Sequence, residues 1–193
     1  MLLHDAACGS LYSRSGGRLN EPMDHTWVTT ERLRLRHPRR DDAKLLAMIF
    51  ADAEVMTYLG GPRDFDEMVA EIEAEADSEP KPLDLWPLEL VAEERVIGFC
   101  GLVPKDVDGE EEHEVVYILA KDAWGHGYAT EAAAGLIDYA FTVHGFDRVI
   151  SMIHADNLAS VRVAQRNGMT RERDTVRPGG KRLGVYVRHR DPA

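Results

Sequence analysis

Cysteine is scarce in this chain. Cys8 and Cys100 stand far apart among 193 residues, which excludes a dense disulfide framework and fits a reduced compartment. Neither has metal-ligand spacing with a histidine, so no metal site is expected. Long apolar runs are also missing, and none approaches the roughly 20 residues that cross a bilayer. No basic-then-apolar opening marks a secretory signal. A cytoplasmic protein without membrane contact is the expectation. Basic residues are outnumbered, 23 Lys and Arg against 34 Asp and Glu, and a net charge of −11 argues against a nucleic-acid partner. What remains, 44% hydrophobic and 30% charged residues, suits a soluble globular chain with one core.

The charge is unevenly spread. Residues 64–79 hold eight acids and no base, and residues 106–114 hold six acids and no base. Residues 162–190 hold nine Lys and Arg against Glu172 and Asp174. Such runs are most simply solvated faces. They also allow an acidic side that attracts a cationic amine and a basic side that tolerates a polyphosphate.

Residues 1–26 are small, polar and Gly/Ser-rich with no sustained period, and read as a flexible leader; residues 27–193 read as a single domain. Order is expected from about Thr29. Arg32–Arg36 alternates as a half-buried strand does, and His37-Pro38 breaks it. Leu45, Leu46, Ile49 and Phe50 make a helical stripe over 43–51, and Asp64 opens a second, acidic helix to about Asp77. Residues 88–91 and 96–103 read as a hairpin. An acidic loop after Pro104 leads to a strand over 113–119. A helix over 129–143, a strand over 148–154, a helix over 158–167 closed by Gly168, and two strands around Pro178-Gly179-Gly180 complete the chain. The strands run first as an antiparallel series and then alternate with helices, which predicts a mixed, mostly antiparallel α/β sheet flanked by helices.

The most informative stretch runs from Tyr117 to Ala132: a strand, a tight Gly125-His126-Gly127 loop, then a helix. Glycines let a backbone come close to a ligand, and the N–H groups of a loop and first helical turn, aided by the helix dipole, suit an anion. A Gly-x-Gly alone is also an ordinary helix start. It is not a dinucleotide fingerprint, since the third glycine is missing, nor a Walker loop, since Gly-Lys-Ser/Thr is absent.

Trp124-Gly125-His126-Gly127-Tyr128-Ala129-Thr130-Glu131-Ala132 resembles the pyrophosphate motif of the GNAT acetyltransferases, in the form common to the RimJ/RimL-like branch. Val96–Gly101 is similar to that family's third strand. Asp156–Ala164, followed by Asn167-Gly168-Met169, is similar to its Asn-x-x-Ser helix and closing glycine. One position departs: the motif's leading Gln/Arg is Asp122 here, an acid expected to point away from a pyrophosphate.

The resemblance implies the GNAT fold and transfer of an acetyl group from acetyl-CoA to an amine, either a small molecule or a protein N-terminus, with a homodimer allowed. The cofactor would lie along Trp124, Gly125, His126, Gly127, Tyr128, Ala129 and Thr130. The main-chain N–H of Ile118 or Leu119 would meet the thioester carbonyl, and the pantetheine arm would pair with the same strand. Asn157 would bond the pantetheine, and Ser160 would protonate the leaving sulfur. Both also suit a helix start, Asn157 as its cap. Glu114 is the candidate base, acting through a water. It alternates with His113, so His113, Val115, Tyr117 and Leu119 share one strand face while Glu114, Val116 and Ile118 share the other. His113 is the second candidate base; His126 is assigned to phosphate, and His144 and His154 to structural roles. Trp86 and Tyr58 are candidate acceptor-pocket aromatics as well as candidate core. A non-catalytic acyl-CoA-binding module is the rival reading.

Overall fold

The computed structural model describes residues 25–192, so most of the expected leader lies outside the described residues. The first strand, β1 (Thr26–Thr29), pairs antiparallel with β2 (Leu33–Arg36). Order thus begins ahead of Thr29, because Trp27 stacks on Trp86 at 4.6 Å and Val28 enters the core. The alternation of β2 holds for Leu33, Arg34 and Leu35, but Arg36 is also buried. Its guanidinium donates to Glu89 at 2.6 Å and to both Asp42 oxygens at 2.7 and 3.0 Å. A charge goes into the interior only with its counter-ions around it.

Helices α1 (Ala43–Ala51) and α2 (Phe65–Ala76) follow. Asp64 caps α2 by accepting from the Glu67 N–H at 3.0 Å. Then β3 (Leu85–Leu90), β4 (Arg95–Val107) and β5 (Glu110–Leu119) form an antiparallel meander. The acidic stretch expected as a loop is instead the far end of the β4–β5 hairpin. It turns on Asp108 and Gly109, whose φ of 59° and 89° match the two left-handed positions of a tight hairpin turn. Its tip is fastened across the fold, where the Thr175 hydroxyl donates to Asp108 at 2.8 Å and Arg177 to the Asp106 carbonyl at 2.9 Å.

The second half comprises α3 (Tyr128–Thr142), β6 (Arg148–Ile153), α4 (Leu158–Arg166), β7 (Thr170–Val176) and β8 (Arg182–His189). One eight-stranded sheet results, in the order β1-β2-β3-β4-β5-β6-β8-β7, with β8 seated between β6 and β7. The β5–β6 pairing is parallel and all others are antiparallel. One face packs on α3 and α4 through Leu102, Val115, Leu119, Leu136, Val149 and Ile153. The opposite face packs on α1 and α2 through Phe99, Ile118, Leu46 and Ile72. This is the mixed, mostly antiparallel fold expected. No helix among the described residues is long and apolar enough to cross a membrane.

Candidate active site

β5 and β6 register at one pair only, Glu114 opposite Ile150, and then part. Into the gap opens a cleft of about 410 Å³ whose walls include Glu114–Leu119, Ser151–His154, Trp124, Gly125, residues 127–130 and one side of α4, while His126 stands outside the lining. It is lined from both faces of the sheet. Val116, Ile118, Tyr58 and Glu54 contribute from the α1–α2 side, and Tyr117, Ser160 and Val163 from the α3–α4 side.

Strand alternation determines which amides meet the gap. The Ala120 N–H donates to Ile97 of β4 at 2.9 Å, and β4 and β5 keep one register throughout. Main-chain groups two residues apart point the same way. The N–H of Ile118 is therefore turned into the β4 ladder, while those of Tyr117 and Leu119 face the gap. Of the two amides expected near a thioester, Leu119 is the one that faces the cleft; Ile118 lines it by other atoms.

At the C-terminal end of β5 the Trp124 indole N–H donates to the Leu119 carbonyl at 2.8 Å, and its ring stays 45% exposed as a wall. Gly125, His126 and Gly127 are exposed beside it, and Gly127 caps α3 at φ 83°, which an L side chain adopts only with strain. His126 stacks on Tyr128 at 5.5 Å. Tyr128, Ala129 and Thr130 form the first turn of α3, at the positive end of its dipole, with the Thr130 N–H already donating to the Gly127 carbonyl at 3.1 Å. Asp122 points away, paired with Arg95 at 3.0 Å. Arg162 and Arg166 line the α4 side. Most other bases of the 162–190 run pair with acids elsewhere, such as Arg171 with Asp174 and Arg188 with Asp191.

Sequence reasoning missed what braces this loop. Arg32 donates to the His126 carbonyl at 3.1 Å, lies 4.7 Å over the Tyr128 ring, and pairs with Glu131. Glu131 also accepts from the Thr30 hydroxyl at 2.6 Å and from the Arg32 N–H at 2.9 Å. Burial pushes the Glu131 carboxyl up, but these donors outweigh it and hold it below the usual glutamate range. The Glu in the motif was the visible signal; its partners, about a hundred positions away, were not.

On the walls, the Asn157 side chain accepts from the Ser160 N–H at 3.1 Å, so Asn157 is the N-cap of α4. The Tyr117 hydroxyl donates to the Ser160 carbonyl at 3.2 Å, and burial pushes that phenol up to about 12. Glu114 accepts from the Met152 N–H on Oε1 at 3.1 Å. Burial raises its carboxyl above the usual range, opposed by the Met152 N–H and by the charges of Lys105 and Arg177. Tyr58 reaches over the cleft to stack on His154 at 5.3 Å, and its hydroxyl donates to the Asp156 carbonyl at 3.2 Å. His154 thus belongs to the site rather than to the structural core. His113 does not: it stacks on Phe146 at 3.7 Å outside the cleft. Trp86 is core, 2% exposed, and His144 packs between Tyr139 and Phe146.

Residues 32–170 match the family model described as an acetyltransferase (GNAT) domain. YkkB of Bacillus subtilis (strain 168) is 34% identical over 165 residues, covering 84% of this chain and 95% of that one. An acetyltransferase from Agrobacterium tumefaciens strain C58 superposes with a TM-score of 0.70 at 27% identity, covering 92% of this chain and all of that one. The spermidine N-acetyltransferase from Vibrio cholerae, solved with CoA and spermine, shares the fold with a TM-score of 0.65 at 20% identity, over 82% of this chain and 94% of that one. The chain belongs to the GNAT family of acetyltransferases.

Proposed function

We propose that the chain moves an acetyl group from acetyl-CoA to a primary amine, a protein N-terminus or a small molecule, by direct attack with both substrates bound, and that it does so in the cytoplasm as a RimJ/RimL-like enzyme. The observation that carries this is the gap itself: strand amides face it, a glycine loop at a helix N-terminus ends it, and a carboxylate and a hydroxyl stand on its walls. The Vibrio cholerae relative, with CoA and spermine bound, supports the pairing of an acyl donor with an amine acceptor.

The residues fit the donor. The loop amides of 125–129, with Arg162 and Arg166 nearby, suit a pyrophosphate, and the Tyr117 and Leu119 main chain suits an extended amide-bearing arm. Bound acetyl-CoA supplies an activated acyl group and a thiol leaving group. The Leu119 N–H polarises the acyl carbonyl. The carboxylate of Glu114 draws a proton from the acceptor ammonium through a water, on the oxygen not held by Met152. The neutral amine attacks the acyl carbon, and as the carbon–sulfur bond breaks the Ser160 hydroxyl gives its proton to the sulfur and takes the one the new amide nitrogen sheds, ending neutral. Asn157 orients the first turn of α4 and, on this reading, offers its amide N–H groups to the arm.

The test is acetyl-CoA turnover against pooled peptides and small amines, read by release of free thiol. Turnover with at least one amine is the expected result. Tight CoA binding with no turnover on any member of both pools overturns the proposal in favour of a non-catalytic acyl-CoA-binding module.

A further inference from the structure

β5 holds one unbroken register with β4 from Gly98 opposite Leu119 to Val107 opposite Glu110, so no bulge in β5 turns it away from β6. Yet the parallel ladder stops after Glu114 and Ile150. With the odd residues of β5 facing β6, the next rung would run from the Met152 N–H to the Val115 carbonyl. Both groups are already taken by side chains. The Met152 N–H donates to Glu114 Oε1 at 3.1 Å, and the Ser151 hydroxyl donates to the Val115 carbonyl at 2.9 Å.

The two side chains arrive from opposite faces of the sheet. Glu114 shares its face with Val116 and Ile118, against α1 and α2. Ser151, 3% exposed, shares its face with Val149 and Ile153, against α3. Buried main-chain groups stay paired in folded proteins, so strands can separate in a sheet interior only where something else satisfies them. We infer that Glu114 and Ser151 are paired caps that hold β5 and β6 apart and set the depth of the cleft. Ser151 is a positioning residue, and Glu114 takes this task on Oε1 beside the proton-transfer task proposed above. The functional consequence rests on the acyl-donor reading of the gap; the capping itself does not.

With both caps gone, the Met152 N–H and the Val115 carbonyl are left facing each other and pair. The ladder advances one rung, the Tyr117 N–H is drawn towards β6, and the deep end of the cleft closes. Glu114→Gln keeps an oxygen that accepts from Met152, so it preserves the cap. The experiment compares Glu114→Gln, Ser151→Ala and the double variant Glu114→Ala/Ser151→Ala with the wild type, using coenzyme A itself in calorimetry and amide NMR for the strands. The expected Kd for coenzyme A stays within about twofold for Glu114→Gln, and weakens about tenfold for the double variant. In the double variant the Tyr117 amide gains protection from exchange. In the wild type the Met152 amide shift follows the titration of Glu114, and this pH dependence vanishes in Glu114→Gln, a readout that survives even if the double variant does not fold. A Met152 amide indifferent to pH overturns the caps. So does a folded double variant with wild-type affinity for coenzyme A and an unprotected Tyr117 amide. Failure of the wild type to bind coenzyme A overturns the acyl-donor reading, while the Met152 titration still decides the capping.

Discussion

The Tyr117 hydroxyl and the Ser160 carbonyl are joined at 3.2 Å, which ties the C-terminal part of β5 to the first turn of α4 across the candidate active site. Tyr117→Phe removes this tie without changing ring packing. The expected loss is about 1 kcal/mol of stability, the usual net value of one hydrogen bond, measured by denaturant unfolding. Because burial holds the phenol at about 12, it stays a donor throughout the working range. Turnover of Tyr117→Phe should therefore differ from wild type by a constant factor between about pH 6 and 9, a range well below that ionisation.

Ser160→Ala tests the proton donor directly. A group used mainly in the transition state contributes little to ground-state binding. Turnover should fall while the Kd for acetyl-CoA stays near the wild-type value. Equal loss in both would assign Ser160 to binding alone.

Glu114→Gln has two pH signatures. If Glu114 is the base, turnover at neutral pH drops by roughly 10²–10⁴, and the deficit shrinks as pH rises and the free amine becomes neutral unaided. The stability signature runs separately. Burial raises the folded-state value of Glu114 above its unfolded one, so the folded protein holds this proton more tightly. That contribution is fully present below the ordinary glutamate value and is lost as pH rises through the raised one. Melting temperatures at several pH values should show Glu114→Gln gaining on the wild type from acid to neutral pH.

Arg32→Ala tests the brace on the glycine loop. It removes the bond to the His126 carbonyl, the side-chain pairing with Glu131 and the contact with Tyr128 while leaving both loop glycines in place. The expected weakening of coenzyme A binding is about fivefold, the equivalent of roughly 1 kcal/mol for one partly exposed bond. Calorimetry at two salt concentrations checks it.

Glu89→Ala opens the buried cluster around Arg36. Glu89 and Arg36 are each 1% exposed and lie 2.6 Å apart. Asp42 still pairs with Arg36 in the variant, so the charge keeps one counter-ion and the loss is that of a buried donor left unmet, about 1–3 kcal/mol, seen as a shift in the urea midpoint.

What could be read from the residues divides along sequence distance. The strand, glycine loop and helix from Tyr117 to Ala132 were legible because their signals are local: alternation, left-handed glycines and a helix start. The faces of β5 were legible for the same reason, with Val115 and Leu119 on one side and Ile118 on the other. The hairpin at Asp108-Gly109 was obscured by the five acids around it, which read as a solvated loop although the turn dipeptide was present. Arg36 looked like the exposed member of an alternating strand, since its partner Glu89 lies 53 positions on. The roles of His113 and His154 could not be told apart locally. Both stood at ends of the expected strands 113–119 and 148–154, although His113 is interior to β5, and only the parting of β5 from β6 decides which histidine borders the cleft.

The parting of two interior strands makes the cleft a window through the sheet rather than a groove on it. Residues of the α1–α2 side and residues of the α3–α4 side line the same space. A window has two thresholds, and the Tyr58–His154 stack roofs one of them while the glycine loop guards the other. On the proposed reaction, donor and acceptor then need not queue at one entrance, and neither product blocks the exit of the other. Double-reciprocal rate plots at several fixed acceptor concentrations should accordingly intersect rather than run parallel.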